Sequence, residues 1–331
     1  MANQQRGSVA RMIIDTESAF NETFAKHHPT VLYITNESVR MSRNLITSNT
    51  LRSTRQPTKP VRGNEEVSGD INFELSPQCG RLLKHAIGTY STPWSGGEGI
   101  YYHQFKIGDL PSMSIEKGFK DLATDKYFQY SGIKVNSLRI SARTEGLIES
   151  SVSVMGAEEA ISNSAVLDDS PSDLGHTPFD GFGGSVYINN TIAAVVTEAD
   201  FTLENGLDGN TYVMDGTGLR YSLPEGMTKI TGNVRCLFTD ESFAFYEAAE
   251  AHTEKALKFI FTNGTGAGTA GNEKLTFFFD EVLFKPQAPV IQGPTGLLVE
   301  LPFEAFYENY DDSDDSAFMV QLICPTADFD A

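Results

Sequence analysis

The chain of 331 residues is 40% hydrophobic and 11% aromatic, enough for a sizeable core without staples and long enough to lean towards two domains. Its 44 acidic against 25 basic side chains give a formal net charge of −19. That balance argues against a specific nucleic-acid reader, yet suits a surface past which nucleic acid moves without sticking. Three scattered cysteines, Cys79, Cys236 and Cys324, exclude a disulfide framework and a Cys-x-x-Cys metal site, and no apolar run reaches the length of a signal peptide or a membrane span. The cysteines read as small buried hydrophobes, and the chain as one made in a reducing cytoplasm.

Residues 1–30 are assigned to an N-terminal arm. VLYITNESV (31–39) opens the first strand-forming half, and the stretch LRSTRQPTKPVRGN (51–64) that follows is polar, basic and Pro-bearing, an exposed arm. VSGDINFEL (67–75) alternates as a strand. A helix then follows, with Ser76 as cap, Pro77 at its first position, an apolar stripe of Leu82, Leu83, Ala86 and Ile87, and Gly88 as its stop. Further strands are expected at 100–108, 134–142 and 146–156. A run dense in Asp, Ser, Pro and Gly (163–184) separates the halves, giving a first module at 31–165, a linker at 166–184 and a second module at 185–331. In the second half strands are expected at 183–196, 199–206, 229–238, 256–264, 274–284 and 296–308. Its helix starts at the cap Thr239, with Asp240 and Glu241 in the positive first turn and Phe243, Tyr246 and Ala249 on one face. The fold class is mainly β, with one packed helix per half.

Shifting the sequence by 163 positions brings VSGDINFEL onto ITGNVRCLF (230–238) without a gap. Gly69 meets Gly232, Asp70 meets Asn233, and the helix caps Ser76 and Thr239 keep register. A repeat this long is a whole module, and repeated modules occupy quasi-equivalent places in a symmetric assembly.

No motif carries chemistry. The Gly-rich run 262–274 lacks the Gly-Lys-Ser/Thr ending of a phosphate loop and reads as a hairpin tip. The acidic run 310–316 lacks the central Gly and closing Glu of a calcium loop and reads as solvated. The histidines show no ligand spacing, and no Gly-x-Ser-x-Gly elbow occurs. Trp94, the single tryptophan, is a contact anchor rather than a sugar platform. No catalytic residue, metal or cofactor is expected.

The chain resembles phage tail tube (major tail) proteins of long-tailed phages. The residues that carry the resemblance are the arm 51–64, VSGDINFEL with its helix, LPSMSIEKG (110–118) and YSGIKVNSLRIS (130–141). The likeness covers 30–156, and reaches the second half through the repeat. It implies two tandem tail-tube-like β-sandwich or half-barrel modules, in a structural virion protein assembled in the host bacterial cytoplasm. It further implies homotrimeric rings with pseudo-six-fold symmetry, stacked into a tube that conducts phage DNA; a homohexamer is the alternative. Tape-measure and tail terminator proteins are the implied partners, DNA is only transiently in the lumen without specific binding, and no membrane is involved. Rival readings are another tail assembly component, such as a terminator or baseplate protein, and a carbohydrate-binding β-sandwich.

Period-2 alternation places Ser68, Asp70, Asn72 and Glu74 on one face of the first copy, and Thr231, Asn233 and Arg235 on one face of the second. These are the candidate lumen-facing residues, and Arg235 departs from a uniformly acidic wall. Arg52, Arg55, Lys59 and Arg62 are candidates for an arm reaching an acidic patch on the next ring.

Overall fold

The computed structural model describes residues 4–22, 26–97, 99–165, 167–168, 170–193, 195–291, 293, 296–307 and 316–329. The chain is mainly β, and its strands pair antiparallel. The first half holds β1 (Arg11–Thr16), β2 (Thr30–Leu32), β3 (Asn36–Glu37), β4 (Arg40–Ile46), β5 (Val61–Glu74), helix α1 (Gly80–Ile87), β6 (Gly88–Gly97), β7 (Ile100–Ile107), β8 (Met113–Phe119), β9 (Lys126–Arg143), β10 (Glu149–Gly156) and β11 (Glu158–Ser162). The second holds β12 (Gly184–Ile188), β13 (Thr191–Ile192), β14 (Val196–Glu204), β15 (Lys229–Leu237), helix α2 (Asp240–Glu250), β16 (Lys255–Thr262), β17 (Lys274–Phe284), β18 (Leu298–Phe306) and β19 (Met319–Cys324).

Several local expectations differ from the structure. The single strand expected at 183–196 is instead the hairpin β12–β13, turning at Asn189 and Asn190, both at positive φ. Residues 11–16, placed in the arm 1–30, form β1 between β2 and β8, with Met12, Ile13 and Ile14 buried. Ser76 holds the N-cap position and Pro77 the first, but of a 3-10 turn at Pro77–Cys79 that precedes α1 proper at Gly80, and the Ser76 side chain makes no capping bond, its Oγ lying 3.3 Å from Cys79 Sγ. Gly88 does end that helix, at a left-handed φ of 116° that favours glycine, returning its N–H to the Lys84 carbonyl. In α2 the Thr239 cap forms, completed by Ser242 as a capping box. The face turned to the sheet is Ser242, Phe245 and Ala249, however, and Phe243 is 44% exposed. The helix is thus rotated by about one residue from the expected stripe.

Six strands lie side by side in the order β5–β10–β9–β14–β15–β18. Their apolar rows all turn to one side. Ile71, Val152, Leu138, Leu203 and Ile230 stand in register across five strands, and all are buried. In the second half the core is a phenylalanine cluster in which Phe201 meets the rings of Phe259, Phe277, Phe279 and Phe318 at centroid distances of 5.1 to 5.7 Å. Phe201→Ala is expected to cost about 3–5 kcal/mol, read as a lower denaturant midpoint with an unchanged m-value.

The pairings of the first half recur in the second. β1–β8, β4–β5, β5–β10, β9–β10, β8–β9 and β9–β11 have counterparts in β12–β16, β14–β15, β15–β18, β17–β18, β16–β17 and β17–β19. The two glycines that the sequence repeat aligns are both needed for close approach. A Cβ at Gly69 would lie 2.5 Å from Val39 N, and one at Gly232 would lie 2.5 Å from the Asp200 carbonyl oxygen. Among the described residues the hairpin β6–β7 has no counterpart in the second half, and β7 pairs with β19. Among the described residues the halves are therefore joined along two strand pairs, β9–β14 and β7–β19.

A candidate lumen face and an exposed arm

Opposite the apolar rows, the same sheet carries rows of polar side chains. Asn36, Asn72, Ser151, Arg139, Thr202, Thr231 and Glu304 stand abreast across seven strands. Glu74, Glu149, Ser141, Asp200 and Asn233 form the next row, and Arg143, Glu198, Arg235 and Glu300 the one beyond. On the other flank Asp70, Ser153, Ser137, Glu204 and Lys229 align, while Ser68 lies between Arg40 and Met155. The structure thus brings the candidates from the two separate segments, Ser68, Asp70, Asn72 and Glu74 with Thr231, Asn233 and Arg235, onto one face of one sheet.

Three arginines on this face lie beside carboxylates. Arg235 lies 3.3 Å from Glu198 and 3.8 Å from Glu300, and Arg143 lies 3.8 Å from Glu198. Arg139 lies 4.0 Å from Asp200. Such partly exposed pairs add little stability singly, but they fix the guanidinium groups on neighbouring strands and offset their field. Arg139, Arg143, Glu198, Asp200 and Glu300 were not singled out from sequence. Alternation marked their strands as two-faced, but only the β9–β14 pairing shows that they share a row with the two repeated segments.

Burial pushes the Asp200 carboxyl above its usual value; Arg139 pulls it down, and Glu198 and Glu300 push it up. Because the folded group titrates above its unfolded value, its ionisation opposes folding at neutral pH, and that opposition fades as pH falls through the raised value. Asp200→Asn is therefore expected to raise Tm at pH 7 and to give little gain once pH is below the ordinary carboxylate value of 3.8; thermal melts across pH check this.

Arg52, Arg55 and Lys59 project from the β4–β5 connection and Arg62 from the start of β5; all are exposed, and none forms an ion pair among the described residues. Leu51 beside them is 98% exposed. The Gly-rich run forms the β16–β17 connection, where Asn272 Oδ1 accepts from the Thr265 N–H at 2.9 Å. Trp94 is 60% exposed and stacks on Tyr102 with centroids 4.1 Å apart. Residues 310–315 of the acidic run lie outside the described residues. Among the described residues no cluster of three or more His, Cys, Asp or Glu side chains is arranged to hold a metal, and no helix is long and apolar enough to cross a membrane. All three cysteines are free and buried, and burial pushes Cys236 up to about 12 and Cys324 up to about 11.

A broad sheet, dry on one side and polar on the other without a break between the halves, defines a wall-building protein. The phage tail tube protein family matches residues 7–305, so the match spans both halves of the sheet. The chain belongs to that family, and is a structural tail tube subunit of the virion tail. No curated protein matches the sequence.

Proposed function

We propose that this chain is two tube units in tandem, the first ending with β11 and the second beginning with β12 across the linker 166–184, and that three chains close a ring of pseudo-six-fold symmetry. The rings stack into a tube, and the polar rows face its lumen, through which phage DNA leaves. The observation that carries this reading is the unbroken polar face running from β5 to β18 through the β9–β14 seam. Two units that already share one sheet inside a chain supply the joint that a ring needs between chains. A ring also removes the liability of open sheet edges, because each edge gains a neighbour.

The net charge of −19 keeps phosphates from adhering once they come within a Debye length, about 8 Å at physiological salt. Arg139, Arg143 and Arg235, each beside a carboxylate, offer DNA no free cluster to release counterions against. The protein's role is mechanical, without catalysis or cofactor. Tape-measure and tail terminator proteins are its partners inside and at the end of the tube, and assembly takes place in the host bacterial cytoplasm. The exposed arm residues Arg52, Arg55, Lys59 and Arg62 contact another copy in the tube. Electron microscopy of the purified protein tests this, with long hollow filaments of three chains per ring as the expected result. Six whole chains per ring would remove the tandem-unit ring, and compact monomers at all concentrations would remove the tube.

A further inference from the structure

The β4–β5 and β14–β15 connections occupy the same place in the recurring pairing pattern. Met41 faces Val67 as Leu203 faces Ile230. Ile46 facing Val61 extends the first hairpin where the Asp208 N–H to Pro224 carbonyl bond extends the second. Beyond those points the tips, 47–60 and 209–223, have nearly equal length.

Their surroundings are opposite. The 209–223 tip lies across the first half: Arg220, 4% exposed, donates to the carbonyls of Val67 and Gly156 at 3.1 and 2.8 Å. The Tyr212 hydroxyl donates to the Glu65 carbonyl at 2.8 Å, and the Glu65 N–H donates to the Gly218 carbonyl at 2.9 Å. Within 47–60 only Thr58 and Pro60 are even half-buried, and every other residue is exposed. The difference has a topological cause. β14 pairs with β9, which sets the first half beside the second half's tip. The strands in the corresponding place, β3 and β4, pair with β5 on one side and, among the described residues, with no other strand. The unit that would lie under the 47–60 tip is a second half, and a single chain has already placed its own elsewhere.

We infer that the 47–60 tip docks on the second half of a neighbouring copy in the same ring, at the end of β15 and β18. There Thr228, Ile230 and Ala305 stand in the places of Glu65, Val67 and Gly156. This rests on the tandem-unit ring proposed above, and it gives the tip a lateral contact where its basic charge alone suggested the next ring. The seam between chains then repeats the seam within the chain, strand beside strand and tip across the joint. Continuity with an existing joint makes a second copy of this chain the occupant, because no other partner would present the same end of the same sheet.

A cysteine pair tests the contact. Gln56→Cys stands in for Gly218 and Thr228→Cys for Glu65; the three natural cysteines are buried and stay out of the oxidation. In oxidised tubes of the double variant, non-reducing gels should show a ladder that closes at three chains. Closure at six keeps the lateral docking and removes the three-chain ring. A ladder without an upper limit means that the tip reaches along the tube, and overturns the docking. So does intact tube with no cross-linking above that of the single variants. Trypsin supplies a reading that needs no substitution: tubes cut after Arg52 and Arg55 as fast as the free chain would overturn the docking, and at least a ten-fold slower cut is the expected result.

Discussion

Deleting residues 54–62 is expected to leave a folded chain that no longer polymerises. The folded part is the easier half of this expectation. The segment removes the strand contacts Leu45 with Arg62 and Ile46 with Val61, all four side chains being exposed, while the ladder from Arg43 facing Glu65 onwards is untouched. Shortening a loop by nine residues changes its closure entropy by less than about 1 kcal/mol, in the favourable direction. No buried side chain is lost, so the melting temperature of the monomer should hardly move. Assembly behaves differently because the contact recurs at every subunit, and modest contacts linked in series multiply their effect. The counterpart tip 209–223 shows what such a segment does when a neighbour is present: it buries Leu223 to 1% exposure and ties Arg220 into two carbonyls. Sedimentation and electron microscopy of the deletion variant give the result directly. Tubes of normal length would show that the arm is not an assembly contact.

Much of this fold was legible because water sits on one side of the sheet. Alternation is clean in 67–75 and 229–237, and holds in 134–142 on either side of a bulge between Val135 and Ser137, where one face is dry and the other wet, and the resulting faces are those of the structure. Elements buried on both faces, or on neither, escaped. β1 and β19 are short apolar runs within which Met12 to Ile14 and Leu322 to Cys324 are consecutively buried, so they show no period. β4 fails the other way, since nearly every residue in it is exposed and only its pairing with β5 makes it a strand. The repeated Gly69 and Gly232 were visible as a pattern, but their reason, a neighbouring backbone too near for any Cβ, is a fact of tertiary approach. The same limit applied to the candidate face. Local spacing assigns Asn72 and Thr231 each to a polar side, but that these sides are one surface depends on β9 pairing with β14, which no local pattern encodes.

The sharpest functional expectation concerns that surface. Asn72→Lys and Thr231→Lys together place one new cation on the polar face in each half, repeated around every ring. Neither position faces a cation: Asn72 lies between Asn36 and Ser151, and Thr231 between Thr202 and Glu304. A lysine at a half-exposed strand position keeps its stem along the sheet and its ammonium in water, at a cost in strand propensity of at most about 1 kcal/mol per site. Tubes should therefore still form. Passing DNA would meet rings of added positive charge in place of neutral amide and hydroxyl groups, and each phosphate neutralised releases counterions. Ejection from virions carrying both lysines should be slow at low salt. It should recover steeply as salt rises, since binding through several phosphate contacts weakens by about 10³-fold or more between 50 and 200 mM. Lysines on the outer wall would change none of this, because the DNA never meets that surface during ejection. Time courses of DNA release at two salt concentrations separate the cases: a salt-dependent delay places the polar rows in the lumen, and release at the unmodified rate at both concentrations places them outside it.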